Sequence, residues 1–325
     1  MKVRPGIFHY VSGVLRNVFL LFLLFIVGSA EVSAQQEPQF TLNMFNHMSV
    51  NPGYAGLREA ICVTGIMRQQ WISIEDDEGT RVSPETFVVS GDSPIRILRG
   101  GVSLTVMQDK IGYFQDIYVK LGYAYHLNVG DGKLGIGLNA AFLNKSLDYG
   151  KFKPVDDDPI TKGGSESTMF TDISLGAFYI QPGGLYLGLS STQLLEGARE
   201  LGTGHDFKLR RHYYGTVGYE LSWLRNPAFV LVPSVFAKYD GTTAQVDLNA
   251  RLIYNDKFWG GLSYRFQETA AVMVGMSMKD LSFGYAYDIP LSKIGGAGSH
   301  EIMLRYCFKL ELEKSGRSFR NTRFL

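Results

Sequence analysis

What this chain lacks narrows it quickly. Charged residues make up 19% of its 325 positions, below the ~25% of an average soluble domain. The formal net charge is +1, so nothing in the overall balance points to a nucleic-acid partner. Beyond one N-terminal stretch, no run is long and apolar enough for a spanning helix, and any further membrane insertion must use strands. No lipobox cysteine follows that stretch, which leaves no lipid anchor indicated. The chain has no Gly-x-Ser-x-Gly elbow and no paired Ser/His motif that would set a nucleophile beside a base. Asp156-Asp157-Asp158, flanked by Pro154 and Pro159, lacks the Asp-x-Asp-x-Asp-Gly spacing of a calcium loop. It reads as a solvated acidic segment, and no metal or cofactor is expected.

What the chain does have is aromatics, glycine and alternation. Tyr and Phe number 18 and 21, and Gly 37, a bias that suits aromatic girdles, tight turns and small inward residues. In Ser299–Leu310, Ile302, Leu304, Tyr306, Phe308 and Leu310 share one side of a period-two pattern. Glu301, Met303, Arg305, Cys307 and Lys309 share the other. Such a strand separates two media. They are a second sheet and water in a soluble sandwich, or lipid and a wet lumen in a transmembrane barrel. The pattern recurs: Ile117, Val119, Leu121, Tyr123, Tyr125, Leu127 and Val129 oppose Lys120, Gly122, Ala124, His126 and Asn128. Val246, Leu248, Ala250, Leu252 and Tyr254 oppose Gln245, Asp247, Asn249 and Arg251.

Connection lengths choose between the two. Gly130–Lys133, Gln181–Gly184, Asn255–Lys257 and Lys279-Asp280 are tight turns, with Asp92–Leu98 and Ser222–Pro227 looser. They alternate with long polar connections at Ser73–Ser83, Lys145–Thr168, Leu194–Lys208 and Ile289–Ser299. Short turns on one side and long loops on the other are expected of a membrane barrel. The pattern predicts an all-β, transmembrane antiparallel barrel of about 14 strands over residues 60–310.

The N-terminus sets the compartment. Lys2, Arg4 and Arg16 precede the apolar run Val18–Val27, and Val32-Ser33-Ala34 has the small-residue form of a cleavage site. This is the layout of a secretory signal peptide over residues 1–34, cleaved after Ala34. The apolar run is too short for a membrane anchor, which needs roughly 20 residues.

Residues 35–59 are polar and punctuated by Pro and Gly. Pro38-Gln39-Phe40, Met44-Phe45-Asn46 and Asn51-Pro52-Gly53-Tyr54-Ala55-Gly56 are their distinctive pieces, followed by Arg68-Gln69-Gln70-Trp71, Asp109-Lys110-Ile111-Gly112 and Gly284–Asp288. On these motifs the chain resembles the PorP/SprF family, outer-membrane proteins of the type IX secretion system in Bacteroidota. The resemblance implies a non-enzymatic accessory component in the outer membrane. Its partners would be the type IX translocon, periplasmic components and cargo bearing a type IX sorting domain, in some members gliding adhesins. A passive porin or small-solute channel is the alternative. From the residues themselves, Asn51-Pro52-Gly53 is turn chemistry, with Pro fixing φ and Gly allowing φ above zero. It would carry a periplasmic or plug-like lead-in to the first strand, with Phe40, Phe45 and Tyr54 packed below or inside the barrel mouth.

Three further expectations concern the lumen, the cysteines and the tail. Arg68, Lys120, His126, Glu220, Lys238, Asp247, Arg251, Arg265, Arg305 and Lys309 are expected to face inward. Their mixed signs favour cross-strand pairing and a filled or narrow interior. Cys62 and Cys307 fall on the same inward face of the first and last strands. A seam disulfide is conceivable in an oxidising compartment, but direct cross-strand bridges are strained, so two separate thiols are expected. The candidate partner-binding residues are Phe40, Phe45, Asn51, Pro52 and Tyr54, then Asp156, Asp157, Asp158 and Arg199 in the long loops. Lys314, Arg317, Arg320 and Arg323 join them in a basic periplasmic tail at 311–325.

Overall fold

The computed structural model describes residues 37–72, 74–75, 82–149, 164–201, 205–222, 226, 228–291 and 297–308. The strands are β1 (Ile61–Gln69), β2 (Glu85–Ile95), β3 (Gly100–Ile111), β4 (Phe114–Val129), β5 (Gly132–Asp148), β6 (Ser165–Ile180) and β7 (Tyr186–Thr192). A separate hairpin, β8 (Ala198–Leu201) and β9 (His205–Lys208), follows. Then come β10 (His212–Gly218), β11 (Phe229–Tyr239), β12 (Ala244–Tyr254), β13 (Phe258–Arg265), β14 (Thr269–Met278), β15 (Leu281–Pro290) and β16 (Ser299–Phe308). All but β8 and β9 form one closed antiparallel barrel of 14 strands, with β1 paired to β16. Closure leaves no open sheet edge, the condition for strands to cross lipid. Among the described residues no helix is long and apolar enough to cross a membrane.

Alternation gives the wall its two faces. On β16, Ile302, Leu304, Tyr306 and Phe308 point out, whereas Glu301 and Met303 are buried within. Leu121 and Tyr125 on β4 and Leu248 and Leu252 on β12 are exposed in the same way, over buried Lys120, Ala124, Asp247 and Asn249. Large apolar side chains exposed on thirteen of the fourteen barrel strands, all but β11, would be untenable in water and are what hydrocarbon requires.

The tight turns fall where the sequence places them, and several carry left-handed residues: Gly130 (φ 57), Asn255 (φ 51), Asp256 (φ 54) and Lys279 (φ 53). Three boundaries differ. Asp92–Ile95 continues β2, and only Arg96–Leu98 forms a 3₁₀ turn, closed by Arg99 at φ 51. β5 and β6 run well into the connection expected at Lys145–Thr168, pairing Asp148 with Ser165. Leu194–Lys208 contains the β8–β9 hairpin. Ser222–Pro227 lies partly outside the described residues.

The expectation of two separate thiols is overturned. Cys62 and Cys307 are bridged, their Cα atoms 4.1 Å apart. They are directly opposite in the β1–β16 register, and the Cys307 amide turns away to the Asp280 carbonyl. That makes them a non-hydrogen-bonded pair, the geometry that brings antiparallel side chains closest.

Candidate functional site: an N-terminal plug in the lumen

Residues 37–59 run inside the barrel. Apart from a single α-turn at His47–Val50 and 3₁₀ turns at Asn43–Phe45 and Pro52–Tyr54, the segment has no regular structure. Its backbone groups must therefore find partners on the wall.

Glu37 lies nearest the long-loop end. It receives the Tyr214 hydroxyl at 2.7 Å, faces the Lys120 ammonium at 3.5 Å, and its carbonyl accepts from Lys238 at 2.9 Å. Burial alone would raise its pKa. Lys120, His212, Tyr214 and Lys238 together outweigh that and hold the carboxyl at about 2. One turn on, the amides of Thr41 and Leu42 each donate to Glu301 at 2.8 Å. Arg68, on β1, donates to Glu301 at 2.8 Å and to Asp288 at 2.7 Å, and Thr41 Oγ1 donates to Asp288 at 2.6 Å. Arg68, Asp288 and Glu301 are all buried. A buried guanidinium is tolerable because two carboxylates surround it.

Lower down, Phe45 lies 5.0 Å from the Trp259 ring, with the guanidinium groups of Arg251 and Arg305 over its face at 4.9 and 5.0 Å. Arg305 also donates to the Phe45 carbonyl. His47 is enclosed by Tyr54, Phe178 and Tyr186 with ring centroids 5.1–5.5 Å away. Burial first, then Arg305, Arg58 and Arg251, lower its pKa to about 3, which keeps the imidazole neutral.

The Asn51–Gly56 signature seats against the tight-turn half of the wall. Asn51 caps its own turn by accepting from the Gly53 amide at 2.9 Å. It also donates to the carbonyls of Ala177 at 3.1 Å and Leu189 at 3.2 Å. Gly53 does not take positive φ, so the sequence-based reason for its being glycine is corrected. A Cβ there would stand 2.7 Å from the Gly135 carbonyl and 2.9 Å from that of Gly176. Gly135, Gly137 and Gly176 in turn leave no room for a Cβ on their side. Four glycines thus let two backbones touch. Asp92 then accepts from the Gly56 amide at 3.0 Å and from Arg58 at 3.1 Å, and His126 bonds the Ala55 carbonyl at 2.8 Å.

Of the sequence-derived candidates, Phe40, Phe45, Asn51 and Pro52 are buried in this plug and Tyr54 is half-buried. Arg199 is elsewhere, exposed on β8, where it donates to the Ala198 carbonyl at 3.2 Å. Asp156, Asp157, Asp158, Lys314, Arg317, Arg320 and Arg323 lie outside the described residues, as does Lys309. Glu220 is exposed beyond the end of β10, so its inward placement is corrected. The period-two pattern had already broken there.

Residues outside the sequence-derived candidates complete the site: Glu37, Thr41, Asp92, Tyr214 and Asp288, with Glu301, which the alternation of the last strand had placed inward. Above the plug, a cavity of about 310 Å³ is bounded by Glu37, Asp109, Asp116, Lys145, the hairpin's Phe207 and Leu209 just after it. Lys145 pairs with Asp116 at 2.6 Å there, its ammonium 5.4 Å from the Phe207 ring. Among the described residues no cluster of three His, Cys, Asp or Glu could hold a metal.

A closed lipid-facing barrel with its own N-terminal segment packed through the lumen defines the class: an outer-membrane-type β-barrel with an internal plug. The profile of the type IX secretion system membrane protein PorP/SprF matches residues 32–306. The chain belongs to that family. Fold and family together fit the outer membrane and membership of the secretion machinery. No curated protein matches the sequence. Among solved structures it is similar to the outer membrane protein Omp33 of Acinetobacter baumannii, at 10% identity and a TM-score of 0.42, covering 78% of this chain and 99% of that one. The translocator domain of the autotransporter NalP from Neisseria meningitidis is similar at 15% identity and a TM-score of 0.41, covering 82% and 94%. KdgM porin is similar at 10% identity and a TM-score of 0.37, covering 76% and 99%.

Proposed function

We propose that this protein is a non-enzymatic accessory of type IX secretion. It holds surface loops and periplasmic contacts in place for cargo bearing a sorting domain and carries no solute itself. The observation behind this reading is the plug. A lumen occupied by residues of the 37–59 segment, bonded to the wall at several points along its length, lacks the open interior that suits a porin. Cleavage after Ala34 would leave Gln35 as the mature N-terminus, two residues before the lumenal Glu37. The long-loop end is the cell-surface end in this reading. The β8–β9 hairpin with Arg199, and the connection between β5 and β6 with Asp156–Asp158, are its cargo contacts. The basic residues from Lys314 to Arg323 meet a periplasmic partner of opposite charge. In some relatives the cargo would be a gliding adhesin.

Two measurements on the same deletion strain test this. Sorting-domain cargo should fail to reach the surface, while uptake of small solutes stays unchanged. Normal cargo display with reduced solute uptake would refute the reading in favour of a porin. A crosslinked pull-down from membranes should recover translocon components.

A further inference from the structure

The wall has one place where it could part without separating strands that follow each other in the barrel sequence: the seam between β1 and β16, its first and last strands. Every inward-facing position along that seam is fastened. Cys62 is bridged to Cys307. Thr64 faces Arg305 and accepts from its Nε at 3.0 Å. Ile66 and Met303 are opposite each other, both fully buried. Arg68 faces Glu301 and pairs with it at 2.8 Å. The plug adds a crossbar, since Thr41 and Leu42 bond to Glu301, and Arg68 donates to Thr41 Oγ1 at 3.1 Å.

We propose that oxidation of Cys62 and Cys307 is a late modification that locks a barrel already closed, and that no polypeptide leaves through this seam. The two residues are 245 apart in sequence, on the first and last barrel strands, and only the closed register sets them opposite each other. Before closure the encounter would require a chain loop of nearly the whole barrel.

The chemistry needs an external disulfide donor, of the class that oxidises thiols in the periplasm. In the closed barrel Cys62 is fully buried and Cys307 is partly accessible, so Cys307 attacks first. Its thiolate joins one donor sulfur, and the first donor thiol leaves. The Cys62 thiolate then attacks the Cys307 sulfur, forming the intramolecular bond and releasing the second donor thiol. Two protein thiols are oxidised and one donor disulfide is reduced.

The lock is independent of the accessory reading, because a porin could carry it equally well. Pulse-labelled cells quenched with a maleimide-polyethylene glycol should show that the oxidised fraction never exceeds the heat-modifiable, folded fraction. Oxidised chains accumulating ahead of folded ones would overturn the order of events. The assembled pool should stay fully oxidised during secretion, and a standing pool with both thiols free would overturn the lock. In the Cys62→Ser, Cys307→Ser double variant, hydrogen exchange at 61–69 and 299–308 should accelerate by about tenfold or more, while β12 and β13 are unchanged. If that variant does not assemble, the wild-type barrel reduced with a phosphine gives the same readout. Unaltered exchange in either would show that the non-covalent fasteners suffice and would refute a locking role.

Discussion

Removing the Glu301 carboxylate should loosen the first half of the plug around Thr41 and leave the second half docked. Glu301 accepts from the amides of Thr41 and Leu42 and from Arg68, each at 2.8 Å, and is 1% exposed. In Glu301→Ala, Arg68 keeps Asp288 at 2.7 Å, so the guanidinium is not stranded. The two plug amides lose a charged acceptor, at ~1.5–3 kcal/mol each. Water entering the vacated polar space offsets part of this, leaving ~3 kcal/mol, or about two orders of magnitude in the docking equilibrium. The contacts of Asn51, Gly53 and Gly56 lie on β2, β5, β6 and β7 and are untouched. Chymotrypsin on the detergent-solubilised barrel should therefore cut after Phe40 and Phe45 but spare Tyr54, and single-channel recordings should show new conductance. Glu301→Gln, which keeps one acceptor oxygen, should fall between. Protection at Phe40 equal to wild type would refute the role given to Glu301. Equal cleavage at Phe40 and Tyr54 would refute a plug held in separable segments.

The glycine contact gives a second test. Gly137→Val places a side chain where the Pro52 backbone lies. It should displace the Asn51–Tyr54 turn at a cost of about 1–3 kcal/mol, exposing Tyr54 to protease while the barrel stays heat-modifiable. Continued protection would remove the close-approach explanation. Acid should also loosen the plug. The docked His47 has its pKa lowered to about 3 from an ordinary 6.5, facing Tyr54 and Tyr186 as well as Arg58, Arg251 and Arg305. Its contribution is whole above pH 6.5 and is lost as the pH falls from there toward 3. Glu37, lowered from 4.5 to about 2, adds a second loss of the same sign below pH 4.5. Docking at pH 5 should thus be weaker than at pH 8 by ~2 kcal/mol through His47 alone. His47→Phe should flatten the upper part of that profile; an identical profile in the variant would exclude His47 as the group responsible. Deleting Lys314–Leu325 should leave membrane insertion intact and reduce recovery of periplasmic partners in a pull-down, and unchanged recovery would remove the tail from the interface.

The barrel was legible because two media impose a period of two on every strand they share. Leu248, Leu252 and Ile302 could be assigned to lipid from spacing alone, and the pattern faded where lipid ends. Above Phe142 and Met169 the outward positions are Asn144, Ser146, Ser165 and Ser167. There β5 and β6 continue with nothing apolar on the outward face to mark them, so that region read as loop. Lumenal side chains such as Arg68 and Lys120 could be named from the same alternation, but their partners could not. Arg68 meets residues 220 and 233 positions away, brought to it by closure of the ring. Glu37 and Thr41 carried no periodic signal, because the segment they belong to has no period, and Asp92 continues the alternation of β2 where turn chemistry suggested a connection. The cysteines failed differently. Their pairing was visible once the first and last strands were recognised as neighbours, and a general expectation of strain outweighed a register that happens to be the favourable one.

The charged lumen has the composition of a water-filled channel, and its pairing shows why composition alone is a poor guide. A chain crossing a barrel without helix or strand presents bare amides and carbonyls, each costing free energy if buried unpaired. Apolar wall residues cannot satisfy them. Here carboxylates serve the amides, Glu301 for Thr41 and Leu42, Asp92 for Gly56. Cations serve the carbonyls, Lys238 for Glu37, Lys120 for Ser49, Arg305 for Phe45. The wall's charges then need counter-charges of their own, which is the place of Arg68 between Asp288 and Glu301 and of Arg265 beside Asp247 at 2.9 Å. An irregular plug and a mixed-charge wall therefore require each other. The wall would be costly to keep dry without the plug, and the plug's bare amides and carbonyls could not be buried in a purely apolar wall.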